Sequence, residues 1–119
     1  MKILALLSIC MLLLDKESTQ HDEQLFPTKL RITVIDGLGN YVEGDTVIIY
    51  EEEEGYRSNQ KATDTLITDD KGVVLFKEDL NPVPYYIQAT LGDKNNDGEG
   101  VKTEALSKGK INRVNTVIE

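Results

Sequence analysis

Residues 30–50, LRITVIDGLGNYVEGDTVIIY, constrain the fold more than any other stretch. Leu30, Ile32 and Val34 alternate with Arg31 and Thr33, the two-residue period of a strand with one buried face. Asp36-Gly37-Leu38-Gly39-Asn40 interrupts that pattern, because glycine supplies positive φ and Asp or Asn side chains bond the local backbone. Residues 46–50 are nearly all β-branched or aromatic, which disfavours helix and favours a well-buried strand, with Gly44 and Asp45 leading into it. Two strands cannot shield such faces from water, so more sheet has to follow.

Further strand signals do follow. Threonine-rich residues 63–68 suit a short strand, Asp69-Asp70-Lys71-Gly72 a turn and residues 73–76 the next strand, the pair reading as a hairpin. Pro82 and Pro84 keep residues 80–84 out of helix and central strand. In residues 85–91, Tyr85, Ile87, Ala89 and Leu91 share one face. Residues 101–105 suit a short edge strand and residues 111–118 the closing strand. There Val114 and Ile118 share a face that Ile111 and Val117 do not, so a bulge is expected. Residues 51–62, EEEEGYRSNQKA, read as a solvated loop, and no helix longer than one turn is expected. About seven short strands with turn signals every 8 to 12 residues predict an all-β fold, an antiparallel Greek-key sandwich.

A chain of 119 residues makes one domain. With no Trp, two Phe and five Tyr, its core has to be aliphatic. Residues 1–14, MKILALLSICMLLL, hold one lysine followed by an unbroken apolar run, too short to span a bilayer but right for a signal-peptide h-region. Cys10 ends Leu7-Ser8-Ile9-Cys10, which is similar to a bacterial lipobox, with Ile9 where a small residue is expected. Lipidation at Cys10 and cleavage elsewhere both stay open. Residues 15–28, with the lone His21, read as a tether, and residues 29–119 as the sandwich domain. The exported part has no other cysteine, so disulfides do not staple it. Residues 1–14 contain Lys2 and no acid, so the remainder carries 21 acids against 12 bases. That balance repels nucleic-acid backbones and anionic headgroups, and suits cations or solubility.

The order of pieces resembles the carboxypeptidase regulatory-like family, with its transthyretin-like (prealbumin-type) β-sandwich, across roughly residues 29–118. The matching pieces are Val34-Ile35-Asp36, Gly39 through Val47, Thr68-Asp69-Asp70-Lys71-Gly72-Val73 and residues 80–87. Tyr41 stands where the family carries proline, and Asp45 where it usually carries alanine. With the N-terminal run and tether, the whole chain is similar to small exported lipoproteins of Bacteroidetes-type bacteria. That resemblance implies a non-catalytic accessory, stalk or surface module at the outer membrane, cell surface or periplasm.

The sharpest chemical motif is Asp93-Lys94-Asn95-Asn96-Asp97-Gly98 with Glu104 at the twelfth position, which satisfies the calcium-loop pattern D-x-[DN]-x-[DN]-G-x5-E. Alternate residues in a tight turn converge oxygens on a hard cation. Asp93, Asn95, Asp97 and Glu104 would supply side chains and Glu99 a carbonyl. The other reading is a hairpin loop of ordinary turn residues, since Gly100 replaces the expected aliphatic anchor. One histidine, in a tether, cannot build a Ser-His-Asp, Cys-His or His-zinc site. Glu51 to Glu54 and Asp69-Asp70 lack an apolar pocket that would raise a pKa. Tyr50, Tyr56, Tyr85 and Tyr86 fit core packing better than a sugar-contacting patch. Two function classes therefore stand. One is a non-catalytic envelope module that contacts protein or glycan, touching membrane only through a lipid anchor. The other is a calcium-stabilised structural or adhesive domain.

Overall fold

The computed structural model describes residues 26–97 and 100–119. The expectations for residues 1–14, for Cys10, for Glu99 and for most of the tether lie outside them. The strands are β1 (Lys29–Asp36), β2 (Thr46–Tyr50), β3 (Asp64–Ile67), β4 (Val73–Phe76), β5 (Tyr86–Leu91), β6 (Lys94–Asn95) and β7 (Ile111–Ile118), and one helix, α1 (Glu53–Ser58), follows β2. They form two sheets, ordered β4-β1-β7 and β3-β2-β5-β6, packed as an all-β sandwich.

The alternation read from the sequence sets the inner faces. Leu30 and Ile32 of β1 stand opposite Phe76 and Val74 of β4, while Val47 and Ile49 of β2 stand opposite Ala89 and Ile87 of β5. All eight are buried, and Tyr85, Leu80, Leu106 and Ile118 close the ends of the same cluster. The predicted aliphatic core is there, and Tyr85 belongs to it.

Four expectations need correction. β1 and β7 run parallel in register from Lys29↔Ile111 to Asp36↔Ile118, so the sandwich is not wholly antiparallel. The first and last strands have no short loop between them to impose a hairpin, and both start at the same end of the sandwich. Residues 63–68 and 73–76 do not form a hairpin: β3 and β4 lie in different sheets, and the Asp69–Gly72 turn carries the chain from one to the other. Residues 101–105 make a single bridge, Tyr86↔Lys102, in place of an edge strand. β7 needs no bulge, because Asn112, Val114, Thr116 and Ile118 take its less exposed positions without a break. The pattern looked broken because two of those inner residues are polar.

Residues 51–62 also differ from a plain loop. Glu53 and Glu54 occupy the first turn of α1, where the helix dipole favours acids, and Glu53 pairs with Arg57 at 2.6 Å. Asn59 ends the helix in the left-handed region. Gly55 lets α1 lie close to its surroundings, since a Cβ there would sit 2.6 Å from the Gln60 carbonyl oxygen and 3.5 Å from the Tyr50 ring. Tertiary contact of this kind stabilises a helix too short to persist alone.

Candidate functional site

The segment with the calcium-loop pattern opens as a hairpin. Thr90 pairs with Asn95 and Leu91 with Lys94, so Gly92 and Asp93 form its tip. Asp93, Asn95 and Asp97 are exposed, and Asn95 Oδ1 accepts the Asp97 N–H at 3.0 Å, which occupies one of the expected ligand oxygens. The chain then returns along β5 in the opposite direction. The Ile87 N–H donates to the Val101 carbonyl and the Thr103 N–H to the Tyr85 carbonyl. Glu104 consequently lies beside the start of β5 and Asp93 beyond its end, about 20 Å apart at the rise of a strand. The structure does not bring Asp93 and Glu104 together. Among the described residues, no three His, Cys, Asp or Glu side chains are placed to hold a metal ion.

Asn96, which the ligand pattern skips, is the residue that organises this region. It is buried, its Oδ1 accepts the Ala89 N–H at 3.0 Å, and its Nδ2 donates to the Ile87 carbonyl at 3.0 Å and to Thr116 Oγ1 at 2.8 Å. One side chain thus ties β5 to β7 across the open end between the sheets. Thr116 Oγ1 in turn donates to the Gly100 carbonyl at 3.1 Å. Gly100 is required there: its φ is +76°, and a Cβ would meet Thr116 Cα and Oγ1 at 2.7 Å. A sequence signal for Asn96 existed in the inward polar position of Thr116, once β7 is read without a bulge.

The tyrosines divide by role. Tyr50 lies under α1, its ring 5.9 Å from that of Tyr56 at an interplanar angle of 80°, and Tyr56 is 5.9 Å from Tyr86. Lys102 Nζ sits 5.3 Å from the Tyr86 ring centroid. Burial raises the phenols of Tyr50 and Tyr56, and burial with the nearby Glu51 carboxylate pushes Tyr85 up to about 12. Tyr50 donates to Gln88 Oε1 and Tyr85 to the Asn81 carbonyl. They hold α1 and the loop after β4 against the sheet. A shallow depression of about 350 Å³ beside α1 is lined by Glu52, Glu54, Gly55, Ser58, Gln60 and Lys61. Its hydroxyl, Ser58 Oγ, is spent on the Glu54 carbonyl.

A second polar group that sequence reasoning passed over lies across β5 from Asn96, at the end of the sheet away from α1. Asp45 is fully buried, and neither carboxyl oxygen has a hydrogen-bond partner. Its backbone is well held, since its N–H donates to Thr68 Oγ1 and its carbonyl accepts the Thr68 N–H. Burial pushes its pKa up to about 6; the Thr90 N–H draws it back slightly without making a hydrogen bond. No helix among the described residues is long and apolar enough to cross a membrane.

No family model matches the chain, and no curated protein matches it in sequence. Among solved structures it is similar to the Bacillus anthracis TIE protein, with a TM-score of 0.52 and 25% identity over 76% of this chain. The match covers 16% of that protein's chain, so the sandwich found here corresponds to a small part of a much longer molecule.

Proposed function

We propose that this chain is a non-catalytic module of a bacterial cell envelope, exported by its N-terminal apolar run and making contact with protein or glycan. The observation that carries the reading is the structural likeness just described: a fold covering three-quarters of this chain occupies 16% of a far longer one, as a building block would. The chemistry fits. The inner faces are filled mainly by aliphatic side chains with Phe76 and Tyr85, and the Ser58 hydroxyl in the depression beside α1 is bonded to a backbone carbonyl and not to a base. On this reading the finer architecture is the transthyretin-like, Greek-key arrangement of the carboxypeptidase regulatory-like family, with residues 1–14 as signal, residues 15–28 as tether and Cys10 as the lipid attachment point. Calcium plays no part in it.

Fractionation of the producing cells, combined with mass spectrometry of the mature N-terminus, tests this. A chain in the envelope fraction that starts at a diacylglyceryl-modified Cys10 is the expected result. A chain in the cytoplasm with residues 1–14 intact and unmodified would sink the proposal.

A further inference from the structure

The outer face of the β4-β1-β7 sheet has a composition unlike the rest of this acidic chain. Its outward positions are Lys29, Arg31, Thr33 and Ile35 on β1, Val73 and Leu75 on β4, and Ile111, Arg113, Asn115 and Val117 on β7. They include three cations, five aliphatic residues and no acid, in a chain of formal charge −8. Arg31 and Arg113 are register partners on neighbouring strands, about 5 Å apart at the backbone, with Lys29 two residues along. Like charges side by side on a sheet are destabilising unless something neutralises them. Among the described residues none of the three forms an ion pair. The Asp69 carboxylate lies in the field of Arg31, but its Oδ1 is committed to the backbone N–H groups of Lys71 and Val73.

The rim near the start of β1 and β7 adds cations, with Glu78 and Asp79 beside Lys77, while the far rim carries Asp36, Asp69, Asp70 and Glu119. Lys77 follows β4, and Lys108 and Lys110 belong to the turn before β7, where Gly109 packs near Phe26. Phe26 is 63% exposed and Ile111 42%. The chain leaves the described domain through Phe26, and residues 15–25 separate it from the apolar run. Eleven residues span at most about 40 Å. If that run or a lipid on Cys10 stays in a bilayer, the face is held within reach of it.

We propose that this face, through Lys29, Arg31 and Arg113 with Phe26 and Ile111 at its edge, lies against an anionic lipid surface. The inference rests on the envelope reading above for the presence of a membrane. Net charge alone argues against headgroup contact, but fields from exposed charges fade over a Debye length of about 8 Å, so the sorted face decides the local interaction. An acid-free sheet face of cations and aliphatic side chains matches a surface of phosphate headgroups over hydrocarbon.

The test uses the full chain and vesicles of pure phosphatidylcholine or of phosphatidylcholine with phosphatidylglycerol. Binding to the neutral vesicles reports the N-terminal run alone. Adding the anionic lipid is expected to tighten binding about tenfold at low salt, with the gain lost at high salt. Lys29→Glu/Arg31→Glu/Arg113→Glu should abolish the gain and leave neutral-vesicle binding intact, while Lys61→Glu/Lys94→Glu, on other surfaces, should keep it. Should the triple variant fail to fold, Arg31→Gln/Arg113→Gln and the salt dependence of the natural chain decide the matter. Equal binding to both vesicles, a salt-insensitive gain, or an equal loss in the Lys61/Lys94 variant would overturn the proposal. So would preferential binding to soluble polyphosphate, or loss of the gain on removing Glu52 to Glu54, which would point to a soluble polyanion or to a second copy's acidic helix. Cytoplasmic location in cells would remove the envelope reading without changing any of these outcomes.

Discussion

Asn96 and Asp45 are both fully buried polar side chains near the same end of the sandwich, flanking β5 on its two sides, and they do opposite things. Asn96 has every hydrogen-bonding group used, by Ala89, Ile87 and Thr116. Asp45 has neither carboxyl oxygen satisfied. Burying a polar group is nearly neutral when its partners are all present and costly when they are not. Asn96 therefore acts as a staple between β5 and β7, whereas Asp45 is a load on the end of the core where an aliphatic residue would be at ease.

Replacing Asn96 by leucine is the largest test of that contrast. The substitution keeps the volume but strips partners from the buried Ala89 N–H and Ile87 carbonyl. A loss of about 3 kcal/mol is expected, read as a fall of about 15 °C in Tm. A loss below about 1 kcal/mol would mean that water replaces the side chain and the staple is not one.

Asp45→Ala should move stability the other way. The native state keeps Asp45 protonated up to about pH 6, while the unfolded chain ionises it near its ordinary 3.8. Between those values the folded protein binds more protons, so stability falls as pH rises and levels off above the upper one. At pH 7.5 the accumulated cost is about 3 kcal/mol, of which Asp45→Ala, which also leaves a small cavity, should recover about 2 kcal/mol as a rise of about 10 °C in Tm. The natural chain should accordingly melt higher at pH 5 than at pH 7.5, and the variant should lose most of that difference. Asp36 and Asp69 do not confuse the measurement. Backbone N–H groups hold both below 3.8, so their contribution is lost only at more acid pH. A flat melting profile between pH 5 and 7.5 would show that Asp45 finds a partner in solution.

Thr116→Val sharpens the comparison at its shared node. It removes one acceptor from Asn96 Nδ2 and one donor from the Gly100 carbonyl while keeping shape, for a loss of about 1 to 2 kcal/mol. Combined with Asn96→Leu the two losses should fall short of additive, because they dismantle one network. Strict additivity, measured by denaturant unfolding, would separate the residues into independent contributions.

How much of this was legible in the sequence depends on whether local or non-local physics decided it. The inner residues of β1, β2 and β5 followed from two-residue alternation, and the Asp69–Gly72 turn from its Asp and Gly. Sheet membership did not follow. Nothing in residues 63–76 says that β3 and β4 part company at the turn, and the parallel partnership of β1 with β7 joins residues more than eighty positions apart. α1 was hidden because four glutamates predict a solvated face equally well as helix or loop, and the burial of Tyr50 beneath Gly55 is a tertiary event. Asn96 and Asp45 were misplaced for one reason. Both sit among turn residues, where composition predicts exposure, and only the packing of the sheet ends shows that they are enclosed.

The smallest expected effect concerns the same loop that Asn96 anchors. A calcium loop needs its first and twelfth residues on one ion, yet the bond from Thr103 N–H to the Tyr85 carbonyl sends Glu104 away from Asp93. The staple itself enforces this, because Asn96 pins the middle of the loop to β5 and β7 and so directs the following residues back along β5. Titrating calcium to millimolar concentration should leave Tm within about 1 °C, since a ligand raises stability only where it binds the folded state. The decisive comparison is with Asn96→Leu, in which the loop is released from the sheet. A rise in Tm with calcium in the natural chain would mean that Asp93, Asn95, Asp97 and Glu99 gather without Glu104; a rise confined to the variant would show that the staple and the ion compete for one loop.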